Sequence, residues 1–136
     1  MTLKNTINHL PIPTYIINLV KRPQRKKNVL KEFSGRNEFD VHVIQAIEDS
    51  FGARGLWRTI CKIIELVPPE AEYIIICEDD HKFTNAYSEE ALLDSIEKAI
   101  SHKCDILLGG VSWHADSVQV DENLFAHIIC FLVFFF

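Results

Sequence analysis

The run Glu78-Asp79-Asp80 sets three carboxylates directly after the apolar stretch Tyr73 to Cys77. In an extended chain side chains repeat every two residues, so Glu78 and Asp80 are expected to point the same way. Carboxylates held side by side repel, and a proton or a cation must settle their charge. A hard divalent ion with oxygen ligands, Mn²⁺ or Mg²⁺, is the natural partner, bridging them to a diphosphate. Such an ion neutralises the charge that develops on a departing nucleoside diphosphate. Asp80 is the first choice for direct contact with the metal, with Glu78 beside it. His81 is a further polar group nearby, although a lone histidine is more often a bystander. The plain alternative is an acidic turn at a strand end. Delivery by a wholly apolar strand favours a site.

A second charged cluster precedes it. Lys21, Arg22, Arg25, Lys26 and Lys27 crowd the start of a segment that Pro23 marks as the first turn of a helix. A helix N-terminus is the positive end of the macrodipole, where cations are unfavourable. Arginines placed there make sense when an anion sits among them, bound by free backbone N–H groups and clamped by guanidinium forks. Arg22 and Arg25 are therefore candidate phosphate contacts. Lys26, Lys27 and Lys31 fit an ordinary solvated face.

The elements that must position these clusters can be read in order. Thr14 to Leu19 is rich in β-formers and reads as a buried strand. A helix follows, with Val29, Leu30 and Phe33 on its apolar side and Ser34-Gly35 at its end. Phe39 to Ile44 alternates like a second strand. Gly52 and Gly55 bracket a turn into a helix carrying Leu56, Ile60, Ile63, Ile64 and Val67, which Pro68-Pro69 stops. Tyr73 to Cys77 is expected to be covered on both faces. Ser88 is an N-cap with Glu89 and Glu90 in the favourable first turn. Leu92, Leu93, Ile96, Ala99 and Ile100 make that helix amphipathic. Asp105 to Leu108 is a short fourth strand, broken by Gly109-Gly110. This alternation predicts an α/β fold, a mainly parallel Rossmann-like sheet with helices on both faces. Ligands of such sheets bind at the carboxyl ends of the strands, where both clusters lie.

Composition narrows the classes. A chain of 136 residues fits a single domain, and a formal net charge of −5 argues against a nucleic-acid binder. Cys61, Cys77, Cys104 and Cys130 have no metal or redox spacing and read as reduced thiols among apolar neighbours. Met1 to Pro13 lacks the apolar core of a signal peptide. Ile128 to Phe136 is wholly apolar yet about half the length of a membrane span. These features suit a cytoplasmic protein, with peripheral association at the inner face of a membrane left open.

Together the motifs resemble glycosyltransferase family 25. Tyr-Ile-Ile-Asn-Leu-Val-Lys-Arg-Pro-Gln-Arg, Tyr15 to Arg25, resembles its opening strand and Asn-Leu-x-x-Arg-x-x-Arg signature. Gly52-Ala53-Arg54-Gly55 before a helix resembles its second signature, and Ile74 to Asp80 its strand ending in Glu-Asp-Asp. The resemblance covers roughly residues 14 to 84. It implies a glycosyltransferase-A-like fold, a UDP-sugar donor, a saccharide acceptor and a Mn²⁺ or Mg²⁺ ion. Asn18, Arg22, Arg25 and Glu78 would hold the nucleotide-sugar, and Asp80 with Glu78 the metal. The implied activity is sugar transfer in surface polysaccharide or lipopolysaccharide assembly. Two departures stand out. Thr59-Ile60 replaces the family's Ser-His, where Thr59 keeps a hydroxyl but Ile60 has no imidazole. The chain is also shorter than the family, so Ile128 to Phe136 reads as a cut or frame-altered end of a sheet incomplete at its C-terminus. Asp116 and Asp121 are candidates for an acceptor-activating base by position only. A truncated nucleotide-binding domain without catalysis is the main alternative. An acidic-pocket signalling domain stands further back, because no lysine lies between Asp105 and Val120.

Overall fold

The computed structural model describes residues 10–109, 117–122 and 124–127. Asp116, Cys130 and the segment Ile128 to Phe136 lie outside them. The chain divides into two compact units, Met1–Lys82 and Phe83–Phe136.

The first unit is a three-stranded parallel sheet alternating with helices, a Rossmann-like arrangement. Its strands are β1 (Ile12–Asn18), β2 (Phe39–Gln45) and β3 (Ile75–Glu78), and its helices are α1 (Pro23–Phe33) and α2 (Gly52–Leu66). The strand order is β2-β1-β3, so β1 is central. Its register runs from Ile12 opposite Phe39 to Asn18 opposite Gln45 on one side. On the other side it runs from Thr14 opposite Ile75 to Ile17 opposite Glu78. A central strand buried on both faces explains why Thr14 to Asn18 is continuously buried. Tyr15 and Ile17 meet Ile63 of α2 on one face, with Ile44, Ile74 and Ile76 around them. Ile16 and Ile63 are 0% exposed, and each such side chain stabilises the fold by about 1.5–3 kcal/mol.

The α1 helix ends as its sequence suggests, with Ser34 at the C-cap and Gly35 in the left-handed region at φ 78°. Leu30 is exposed rather than part of the buried side, which Val29 and Phe33 supply. The expected turn at Gly52 and Gly55 is instead the first turn of α2 itself. Gly55 is there for room, because a Cβ at this position would lie 2.5 Å from the Ile47 carbonyl oxygen. Thr59, one turn later, is fully buried. Its Oγ1 donates to the Gly55 carbonyl and accepts from the Ile47 N–H, both at 2.8 Å. That hydroxyl holds the β2–α2 loop. Asp49 braces the same loop, accepting from Arg54 Nε at 2.8 Å and Nη2 at 2.7 Å, and from the Phe51 N–H at 2.9 Å. The Arg54 bonds first, then that of Phe51, hold its carboxyl down at about 2.

The β3 strand is shorter and less covered than expected. Tyr73 and Ile74 precede it, and of its four residues only Cys77 is fully buried. Cys104 also departs from expectation, being exposed, whereas Cys77 is buried and Cys61 half-buried.

The second unit holds α3 (Glu89–Ser101) and an antiparallel hairpin of β4 (Ser117–Asp121) and β5 (Leu124–His127). Ser88 caps α3 as anticipated, its hydroxyl accepting from the Ala91 N–H at 3.1 Å. At the other end the Lys103 N–H reaches the Ile100 carbonyl and the Cys104 N–H the Ala99 carbonyl, each at 2.9 Å. Lys103 stands at φ 56° to make that reversal. Asp105 to Leu108 then forms no strand, and Ile106 is 53% exposed. Four residues after a helix cap become a strand only when a sheet edge receives them. Among the described residues no helix is long and apolar enough to cross a membrane.

Two outcomes follow for the loop after β2. Gly55→Ala should destabilise the chain by about 1–3 kcal/mol, since backbone must move to admit the methyl. Thr59→Val, which keeps shape but strands the Ile47 N–H, should cost a similar ~1–3 kcal/mol. Urea unfolding of each variant measures both. Asp49 adds a pH signature. Its folded value lies below the unfolded one, so its contribution is full above about 4 and lost as pH falls towards 2. Asp49→Asn should therefore be less stable than the parent at neutral pH, with the gap closing in acid.

Candidate functional site

The two charged clusters meet at the carboxyl ends of β1 and β3. Chain direction explains the place. From β1 the chain passes through α1 to β2 on one side, then through α2 to β3 on the other. The carboxyl ends of β1 and β3 are therefore neighbours at the same edge of the sheet.

The residue that joins the clusters is Asp79, which the sequence reading passed over. Its side chain is 5% exposed. Asn18 Nδ2 donates to Asp79 Oδ2 at 2.7 Å, and Arg25 Nη1 donates to Asp79 Oδ1 at 3.3 Å. The same Arg25 nitrogen lies 3.6 Å from Asp80 Oδ2, and that carboxylate is 61% exposed. Asn18 also donates to the Arg22 carbonyl at 3.2 Å, fixing where α1 begins.

The pleat accounts for the selection of Asp79. Ile17 stands opposite Glu78, so the next rung would bring Asn18 opposite Asp79 on the same face. The strand stops at Glu78, and the His81 N–H closes a turn onto the Glu78 carbonyl at 3.1 Å. The expectation that an extended strand carries Glu78 and Asp80 on one face is thus corrected. Asp79 turns inward beside Asn18, and Asp80 faces solvent.

The acids still feel one another. Burial pushes the Glu78 carboxyl above its ordinary value, and the neighbouring charges of Asp80 and Asp79 push it further, against the pull of Arg22 and Arg25. Burial, with help from Asp80 and Glu78, drives the Cys77 thiol up to about 12, so it stays neutral and inert. His81 is held below its ordinary value mainly by burial, and its ring lies 5.5 Å from that of Phe33. It packs against α1 rather than joining the charged cluster.

Arg22 is the N-cap of α1, and no side chain caps the helix there. The first turn carries no acid, leaving the dipole's positive end uncompensated. Beside it lies a cleft of about 290 Å³ lined by Asn18, Val20, Pro23, Lys26, Val43 and Gln45. Val43 and Gln45 pair with Ile16 and Asn18 in register, so the cleft opens on that face of the sheet, towards the start of α1. Of the anticipated site residues only Asn18 lines it. Arg22, Arg25, Glu78 and Asp80 group beyond it, with Asn18 on the shared rim. Asp121 belongs to the second unit, where it faces His102 at 3.2 Å.

Among the described residues no cluster of three metal-binding side chains occurs. Mn²⁺ and Mg²⁺ are commonly held by one or two carboxylates plus substrate phosphates, and such an ion needs no larger protein cage. Glu78 and Asp80 offer the right oxygen chemistry, and the Asp80 charge adds to burial in raising the Glu78 carboxyl. No protein-family profile matches this chain, and neither curated proteins nor solved structures give a significant match. What the site does must be argued from its own residues.

Because the Glu78 carboxyl is raised in the fold, charging it costs stability as pH rises through its titration. Glu78→Gln should raise the melting temperature at neutral pH, with the gain shrinking as pH falls through the raised Glu78 titration and gone below about pH 4. Asp79→Leu should do the reverse and lower stability by about 2–4 kcal/mol, because Asn18 and Arg25 both lose their acceptor. Thermal scans over a pH series check both.

Proposed function

We propose that this chain is a metal-dependent glycosyltransferase of glycosyltransferase-A-like fold, taking a sugar from a UDP-sugar donor to a saccharide acceptor. The resemblance to glycosyltransferase family 25 supplies the reaction class, and surface polysaccharide or lipopolysaccharide assembly is the process it suggests. The supporting observation is the Asn18–Asp79–Arg25 tie, which gathers the signature residues of two distant segments at the carboxyl ends of β1 and β3. Crossovers from β1 to β2 and from β2 past β1 to β3, if right-handed as is the rule for parallel strands, would put α1 and α2 on opposite faces of the sheet.

In this reading Arg22 and Arg25, with the uncapped amides of α1, receive the diphosphate. The neighbouring cleft, shared through Asn18, is near the lower limit of a small-molecule site and suits part of a nucleoside. Asp80 and Glu78 would hold the Mn²⁺ or Mg²⁺, whose chemistry is to neutralise the departing UDP. Arginine forks at the same place orient the phosphates and keep the donor's reactive end towards the open side.

A second reading is favoured by one specific contact. Arg25 already reaches both Asp79 and Asp80, so the unit is suited to bind a nucleotide without carrying out transfer. Turnover measured beside binding separates the two.

Titration calorimetry on the chain tests the shared core of both. UDP should bind roughly tenfold more tightly with Mn²⁺ than with chelator, and Asp80→Asn should remove most of that difference. Arg22→Ala should weaken UDP with or without metal. Equal affinities throughout would leave Glu78-Asp79-Asp80 as a strand-end turn.

A further inference from the structure

We propose that the cleft beside α1 reads a base: the buried Asn18 oxygen and the Gln45 amide select a uracil ring by its N–H and flanking carbonyls. That the ligand is a nucleotide rests on the nucleotide-sugar reading. The choice of base comes from the cleft itself.

Asn18 supplies the fixed point. The residue is 6% exposed, yet it lines the cleft. Its Nδ2 donates to the Arg22 carbonyl at 3.2 Å and to Asp79 Oδ2 at 2.7 Å. Both partners are acceptors, so the amide cannot be reversed without setting oxygen against oxygen. Oδ1 is thereby turned from both, and among the described residues it accepts no hydrogen bond. An acceptor held in one orientation at the wall of a cleft favours a ligand that carries a donor.

Gln45 stands opposite Asn18 in the register of β1 and β2. Paired strands lie about 4.8 Å apart with opposed side chains on one face, so two amides share this rung. Gln45 is exposed, and among the described residues its side chain makes no hydrogen bond, leaving its donors to a ligand. Lys26 adds an ammonium that can only donate, and Val20, Pro23 and Val43 give apolar surface for the face of a ring. The cleft thus offers one fixed acceptor and two groups able to donate. Uracil presents the complement, an N–H between two carbonyls. Cytosine presents a bare ring nitrogen at that place, lone pair against lone pair. A volume of about 290 Å³ is small for a ligand site and suits one ring better than two.

The test uses nucleosides, which bring neither phosphate nor metal. Uridine, cytidine, 3-methyluridine and inosine are titrated into the isotope-labelled full chain, and the side-chain amide signals of Asn18 and Gln45 are followed by NMR. Uridine should bind about tenfold or more tightly than cytidine, which lacks the N–H, or 3-methyluridine, which masks it. Inosine, with two rings, should bind more weakly than uridine. Gln45→Leu, at an exposed position, should weaken uridine about three- to tenfold. Asn18 also holds Asp79, so the ligand series takes the place of its mutation. Equal binding of uridine, cytidine and 3-methyluridine overturns the proposal, as does inosine matching uridine, undiminished binding by Gln45→Leu, or no uridine binding at all. The nucleotide-sugar reading fails separately, if UDP with Mn²⁺ binds no better than uridine, and base selection would survive that result.

Discussion

A carboxylate taken out of water must find partners or remain uncharged, and Asp79 is nearly fully buried in its place. Its partners come from the end of β1 and the first turn of α1, more than fifty residues away in sequence. Much of the first unit's geometry depends on that requirement. The β3 strand is only four residues long and pairs with β1 alone among the described strands. Asp79 adds a side-chain tie where its backbone ladder runs out. Asn18 uses the same amide to hold the Arg22 carbonyl, so the start of α1 and the end of β3 are set by one side chain. Arg25 is thereby fixed at these strand ends rather than left to wander in solvent.

The charge balance around that tie is incomplete. Two arginines face three acids, and burial first, then the charges of Asp80 and Asp79, raises the Glu78 carboxyl's affinity for its proton. The β2–α2 loop shows the contrast. There Asp49 is fully engaged by Arg54 and Phe51, and its carboxyl is pulled down to about 2. One acid is pulled down by its partners; the other is pushed up by burial and like charge.

Much of the α/β frame was legible because strong periodic signals and punctuation coincide. The Ser88 cap, Pro23 and the Pro68-Pro69 stop gave element ends close to those observed. What failed did so for physical reasons. Gly55 looked like turn chemistry because glycine's freedom and glycine's small size leave the same letter in a sequence. Only the Ile47 carbonyl, brought beside it by tertiary packing, separates the two. Asp105 to Leu108 has the composition of a strand, but strand formation depends on a receiving edge, which composition does not encode. The β4–β5 hairpin was missed for the converse reason. Its β4 residues Ser117 to Asp121 do alternate, but the run is short and both valines are exposed, so no buried face marks it as a strand.

The meeting of the two charged segments was legible to within one residue, and that residue was decided by the pleat. The acids were found by type, and Asn18 and Arg25 by motif, yet choosing among Glu78, Asp79 and Asp80 needs the register of β3 against β1. That register is a long-range quantity. A slip of one residue would exchange the faces of all three acids, and no local feature of the sequence forbids it. Once Ile17 is known to face Glu78, parity sends Asp79 to the side of Asn18. The turn after Glu78 then frees Asp80 from that alternation. One strand end thus gives three neighbouring acids three environments: half-buried and strained, buried and paired, exposed and available. Asp80 keeps an exposed carboxylate, while Asp79 holds the scaffold that keeps Arg25 within reach of both.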